Sequence, residues 1–108
     1  MSNVRDEKAL SRLLHLAGMY IAREAGRSTL ITPTRVEIAR DRKHATIFVS
    51  VFPDQEVDHA LEFLKRHRDS FRDFLKTQGR FSILPFIAFE FDRGEQNRQH
   101  LDELSQNL

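Results

Sequence analysis

Between Lys65 and Arg80 stand six cations, Lys65, Arg66, Arg68, Arg72, Lys76 and Arg80, against only Asp69 and Asp73. Residues 65, 68, 72 and 76 are three and four apart, so on a helix they share one face. A row of cations at that spacing can neutralise successive phosphates, with an affinity that depends on salt and little on base sequence. An ordinary solvated helix face has the same composition, and spacing alone does not separate the two. A second group, Arg40, Arg42 and Lys43, crowds one short stretch around Asp41. Turns on a rigid scaffold often carry binding residues. Cations there also protect a sheet edge from unwanted pairing. Asp41 suits a structural role, capping the turn through its carboxylate.

Other chemistry has little to build on. The chain has no cysteine, which excludes disulfides, thiolate metal sites and a thiol nucleophile. Gly18, Gly26, Gly79 and Gly94 lie too far apart for a phosphate loop or a dinucleotide fingerprint. His15, His44, His59, His67 and His100 form no zinc-protease pattern, and His59 with Glu62 lacks a third ligand. No serine sits on a nucleophile elbow. The expectation is a binding protein and not an enzyme, with no cofactor and no metal.

The chain has 108 residues, the size of one domain. Forty per cent are hydrophobic, enough for a core and too many for a disordered tail. Net charge is +1, but it is unevenly placed. The balance is +4 from Lys65 to Arg80, +2 from Arg35 to Lys43 and −3 from Glu90 to the C-terminus, which predicts a polarised surface. Arg5, Asp6, Glu7, Lys8 and Arg12 leave no apolar run for a signal peptide. No stretch approaches the roughly 20 apolar residues of a membrane span. A soluble, cytoplasmic protein without a membrane partner is expected.

The elements that must position these cations follow from periodicity. Leu10, Leu13, Leu14, Ala17 and Ile21 mark the apolar face of a helix from about Asp6 to Ala25. Gly26 suits a left-handed stop after it. An extended segment runs from about Leu30 to Ala39. Its apolar parity changes between Ile31 and Val36, which predicts a bulge near Thr34 and Arg35. After the charged turn, Ala45, Ile47, Val49 and Val51 alternate along a strand from His44 to Phe52. The two strands read as an antiparallel hairpin. A helical stretch follows from about Glu56 to Gln78, with Val57, Ala60, Leu61, Leu64, Phe71, Phe74 and Leu75 near one stripe. Residues 67 to 70 interrupt it. Asp69 or Ser70 could cap a second helix, so two helices meeting at a kink are expected, with one bent helix as the alternative. Gly79 closes the stretch. Leu84 to Phe91 reads as a third strand with Ile87, Phe89 and Phe91 inward. Phe48 and Phe86 fall on the opposite face, where an exposed ring could stack on an unpaired base or be covered by a loop or partner. The polar tail carries one or two helical turns around Gln99 to Leu104. The order α-β-β-α-α-β gives a two-layer α+β domain.

Two segments carry a resemblance. Residues 36 to 51, Val-Glu-Ile-Ala-Arg-Asp-Arg-Lys-His-Ala-Thr-Ile-Phe-Val-Ser-Val, resemble the central hairpin of the ribosome-binding factor A family. Residues Phe71 to Asp92 resemble its later part, with a helix end, a basic-apolar link, Pro85 and alternating apolar residues up to Phe91-Asp92. The tail from Glu95 to Leu104 is similar to the family's end. The resemblance covers about residues 5 to 104. Two departures stand out. Neither the KH Gly-x-x-Gly nor the family's Ala-x-Gly is present at Arg68-Asp69-Ser70. The glutamate that the family places after its proline is Phe86 here.

The resemblance implies a KH-like fold of type II topology over residues 5–93, a three-stranded mixed sheet packed on helices, followed by a polar tail over 94–108. It implies a non-catalytic assembly factor that binds the 30S ribosomal subunit and its 16S rRNA in late maturation. The expected RNA-binding residues are Arg40, Arg42, Lys43, Lys65, Arg66, Arg68, Arg72, Lys76 and Arg80, in a monomeric chain. A free-standing RNA-binding module and a protein-interaction module remain the alternatives.

Overall fold

The computed structural model describes residues 7–78, 81 and 83–94. Helix α1 spans Glu7–Glu24, strand β1 Leu30–Ile38 and strand β2 His44–Phe52. A single 3-10 turn at Asp54–Glu56 leads into α2, Val57–Arg66. Helix α3, Arg68–Gln78, and strand β3, Phe86–Phe91, complete the order expected of a KH-like type II domain. The strands form one sheet in the order β1-β2-β3. β1 and β2 pair antiparallel, β2 and β3 parallel. Parallel neighbours need a long crossover, and α2 with α3 supplies it.

The register of the hairpin explains the parity change. Pro33 pairs with Val49 and Arg35 with Phe48, so Thr34 is the extra residue of a bulge. Ile31 before it and Val36 and Ile38 after it all turn toward the core. Without the extra residue the later pair would point to solvent.

The core lies between one sheet face and the helices. α1 buries Ala9, Leu13, Leu16, Ala17, Tyr20 and Ile21, a stripe of helical period. Ala60 and Leu64 of α2 and Phe71 and Leu75 of α3 meet Ile47, Val49, Val51 and Ile87 of the sheet. Truncating a fully buried residue such as Leu13 or Phe71 to alanine costs on the order of 2–5 kcal/mol. Phe89 and Phe91 only partly enter this core. β3 is an edge strand, and its side chains near the rim cannot be covered on both sides.

Several local expectations are corrected. No described glycine has a positive φ, so Gly26 does not form a left-handed helix stop. α2 and α3 are separated by His67 alone, at φ −94 and ψ 6. Asp69 and Ser70 therefore lie in the first turn of α3 and do not cap it. The helical bonding runs through the break, since the His67 amide donates to the Phe63 carbonyl and the Phe71 amide to the His67 carbonyl. Ser70 donates from its hydroxyl to that same carbonyl at 3.1 Å and also meets the Tyr20 hydroxyl of α1. The third strand begins at Phe86 and not Leu84. Pro85 has no N–H, so the ladder opens with the Phe86 amide on the Lys43 carbonyl, at 2.8 Å. Gly79, Arg80 and the tail helix around Gln99 to Leu104 lie outside the described residues.

Candidate nucleic-acid interface

Parallel pairing puts the starts of β2 and β3 at the same end of the sheet. His44 is the register partner of Phe86. The turn that precedes β2 and the link that precedes β3 are thereby neighbours. The turn, through the Lys43 carbonyl, and helix α3, through the Arg72 side chain, both meet Phe86 there.

The turn is tightly built. The Arg42 amide donates to the Ala39 carbonyl and the Ala39 amide to the His44 carbonyl, both at 2.9 Å. Asp41 accepts from the Lys43 amide at 2.8 Å and lies 3.3 Å from His44 Nδ1. The Lys43 amide, and then the nearby charge of His44 and Lys43, hold the Asp41 carboxyl below the usual carboxylate range. Arg42 takes a left-handed conformation, φ 61, to close the turn. With Asp41 directed to the backbone and His44, the side chains of Arg40, Arg42 and Lys43 remain exposed.

The helical cations do not form one continuous row, because His67 divides them between two helices. Lys65, Arg68 and Arg72 line a groove along the open edge of β3 instead. Leu61, Lys65 and Arg68 face Ala88 and Phe89. Arg68, Asp69 and Arg72 face Phe86 and Ile87 across a cleft of about 330 Å³. Among the described residues no strand pairs with the outer edge of β3.

Arg72 has a distinct role. Its guanidinium donates to the carbonyl of Pro85 and, at 2.9 Å, to that of Leu84. It also lies 5.4 Å from the centre of the Phe86 ring. It thus fixes the link into β3 while keeping its charge at the cleft. Lys76 is exposed and 3.9 Å from Asp73, a surface pair of small consequence. Arg66 is exposed and lines neither part of the groove. Arg80 lies outside the described residues.

The two outward phenylalanines differ. Arg35 stacks over Phe48 at 3.7 Å from its ring centre, and Arg35 is itself held by Glu37 at 2.7 Å. That hydrogen bond, then the charges of Glu37 and Asp92, raise the Arg35 pKa. Phe48 is therefore already covered. Phe86 is 66 % exposed. The larger cleft beside Arg35 is lined by Phe48, Glu90, Asp92 and Arg93, with acids answering its cations, so it has no surplus positive charge. Among the described residues no group of His, Asp or Glu is arranged to hold a metal ion, and no helix is long and apolar enough to cross a membrane.

A family model for ribosome-binding factor A matches residues 5–105. The chain belongs to the ribosome-binding factor A family. A ribosome-binding factor A of Natranaerobius thermophilus is 27% identical over the whole of this chain and 85% of its own length. That of Tropheryma whipplei strain Twist is 30% identical over 95% of this chain, which spans only 53% of that relative. A Thermotoga maritima protein named for the same family, solved in solution by NMR, superposes with a TM-score of 0.65 at 26% identity, covering 87% of this chain and 93% of that one. The crystal structure of ribosome-binding factor A from Thermus thermophilus shares the fold, with a TM-score of 0.64 over 74% of this chain and 88% of that one.

Sequence reasoning missed two features of this site. One is the clamp of Arg72 on the link carbonyls, which no spacing rule reports. The other is the contact between the turn and the start of β3. That one was accessible, since a two-helix crossover returning to a parallel neighbour aligns the strand starts.

Proposed function

We propose that this chain binds the small (30S) ribosomal subunit through its 16S rRNA during late maturation and acts there as a positional assembly factor. The supporting observation is the line of Lys65, Arg68 and Arg72 beside the open edge of β3, whose first residue is bonded to the backbone of the basic β1–β2 turn. The relatives are named as ribosome-binding factors, which supports a ribosomal partner. Lys65, Arg68, Arg42 and Lys43 grip phosphates, with Arg40, Arg66, Lys76 and Arg80 adding charge around them. Phosphate contacts fix register and orientation without reading sequence. Shape then matters more than base edges, as is usual for folded RNA. The chain works as a cytoplasmic monomer and catalyses nothing.

The test is sucrose-gradient sedimentation of the tagged chain with extracts containing immature small subunits. The chain should travel with small subunits and not with whole ribosomes. Combined Arg42→Ala, Lys43→Ala, Lys65→Ala and Arg68→Ala changes should release it. Unchanged co-sedimentation of that variant would remove this face from the mechanism. Failure of the wild-type chain to sediment with small subunits would remove the ribosomal reading.

A further inference from the structure

Phe86 opens an edge strand, where charge and polarity normally guard unpaired backbone. It is nonetheless 66 % exposed. The His44 ring lies beside it, 5.7 Å between centres at a tilt of 33°, a geometry in the range of offset aromatic pairs. Asp41 lies 3.3 Å from the His44 ring and helps fix its orientation. The Arg72 guanidinium lies 5.4 Å from the centre of the same ring, and it is held by two carbonyls. The Phe86 amide is bonded to the Lys43 carbonyl, so the ring is attached to the basic turn itself. The result is an exposed aromatic surface that shares its cleft with Arg68 and Arg72, with Asp69 the one acid among the described residues of the lining.

We infer that Phe86, flanked by His44, is a stacking platform for one unpaired base of the bound RNA. The inference rests on the RNA-binding reading above and adds the kind of RNA that the site takes. A protein partner could cover the ring with apolar atoms, but it would bury the charges of Arg68 and Arg72 with Asp69 the one acid beside them among the described residues of the lining. A single-stranded nucleotide matches both parts, a flat base for the ring and a phosphate for the cations. A cleft of about 330 Å³ is at the low end for small-ligand pockets, so it suits one planar group and not a folded segment. A duplex keeps its bases inside and offers only phosphates and sugars. The platform therefore selects single-stranded or bulged RNA. Every base has a stacking face, so the preference is for unpaired structure and not for one base.

The test uses the full chain with two probes: a mixed-sequence single-stranded RNA of about twelve nucleotides, 2-aminopurine replacing adenine, and the same sequence as a duplex. Wild type, Phe86→Ala, Phe86→Leu and Phe86→Trp are compared. Phe86 is exposed, so equal melting temperatures should show that all four fold. Wild type and Phe86→Trp should quench 2-aminopurine on binding. Phe86→Ala and Phe86→Leu should bind the single strand about tenfold more weakly, the scale of one lost base–aromatic stack. Their duplex affinity and salt dependence should be unchanged. Wild-type affinity and quenching in Phe86→Ala would overturn the platform. So would full affinity in Phe86→Leu with loss only in Phe86→Ala, because that marks an apolar contact without stacking. If wild type binds neither probe nor small subunits, the RNA-binding reading itself fails.

Discussion

The Thr34 hydroxyl donates to the Asp92 carboxylate at 2.5 Å, joining the bulge of β1 to the residue that follows β3, across the central strand between them. The same hydroxyl lies 3.2 Å from the Phe48 carbonyl, and the Asp92 amide donates to the Val49 carbonyl at 2.7 Å. Arg35 Nε lies 3.5 Å from the carboxylate. Asp92 is only 6 % exposed, so its charge is held by these partners. Asp92→Ala should cost about 2 kcal/mol, the scale of a hydrogen bond to a charged buried group. Thr34→Ala should cost less, and the double variant less than the sum. Urea denaturation of the three variants measures the coupling.

Arg72 should matter more for stability than its place in a cationic surface suggests. Arg72→Ala leaves the Leu84 and Pro85 carbonyls without these donors and should cost about 1–3 kcal/mol. Arg72→Lys keeps the charge, but an ammonium cannot reproduce the two-nitrogen fork. The lysine variant should lose stability while keeping the salt dependence of RNA binding. Equal stability of Arg72→Lys and wild type in urea would show that the clamp is dispensable.

The basic turn should loosen in acid. The Lys43 amide lowers the Asp41 pKa in the folded state. A carboxyl whose folded value is depressed contributes its stabilisation above the ordinary carboxylate range and loses it as pH falls through the folded value. On acidification the Lys43 amide resonance should move with a midpoint below that of an unperturbed aspartate, and the movement should vanish in Asp41→Asn. A midpoint at the ordinary value would mean that the hydrogen bond does not favour the ionised form.

Arg42 sits at φ 61, a conformation that glycine adopts freely and a side chain does not. Arg42→Gly should therefore stabilise the hairpin, by about 1 kcal/mol. The same change removes a cation from the proposed RNA face and should weaken RNA binding. Opposite signs in thermal melting and RNA affinity are the expected pair. Lower stability on substitution would show that the arginine side chain makes contacts that outweigh the strain.

Most of the fold was legible because its signals are local. Alternation along His44 to Phe52 and the parity change near Thr34 predict the hairpin and its bulge. The stripe from Val57 to Leu75, broken around residue 67, predicts two helices. The element ends were less legible because tertiary bonds decide them. Arg72 holds the link before β3, and Pro85, lacking an N–H, cannot extend the ladder back from Phe86. The cations were visible as a list, but their arrangement was not. A three-and-four spacing assumes one straight helix, and the break at His67 leaves Lys65, Arg68 and Arg72 on a groove wall and Lys76 off it. Nor does composition separate Phe48 from Phe86. The difference is Arg35, which reaches Phe48 from the neighbouring strand.

Lys65 and Arg68 stand on either side of the helix break and share one part of the groove with Ala88 and Phe89. If each neutralises one phosphate of a single strand, removing either should lower the slope of log K against log salt by about 0.7. The double change Lys65→Ala, Arg68→Ala should lower it by about 1.4, because separate phosphates release separate counterions. Lys76→Ala is the control, since Lys76 is away from the groove lining and near Asp73. Its slope should change clearly less than that of Lys65→Ala, since Lys76 adds charge without gripping a phosphate. Both side chains are exposed, so stability should hardly change in any of these variants. A slope that falls equally for Lys65→Ala and Lys76→Ala would mean that binding responds to total charge and not to this groove.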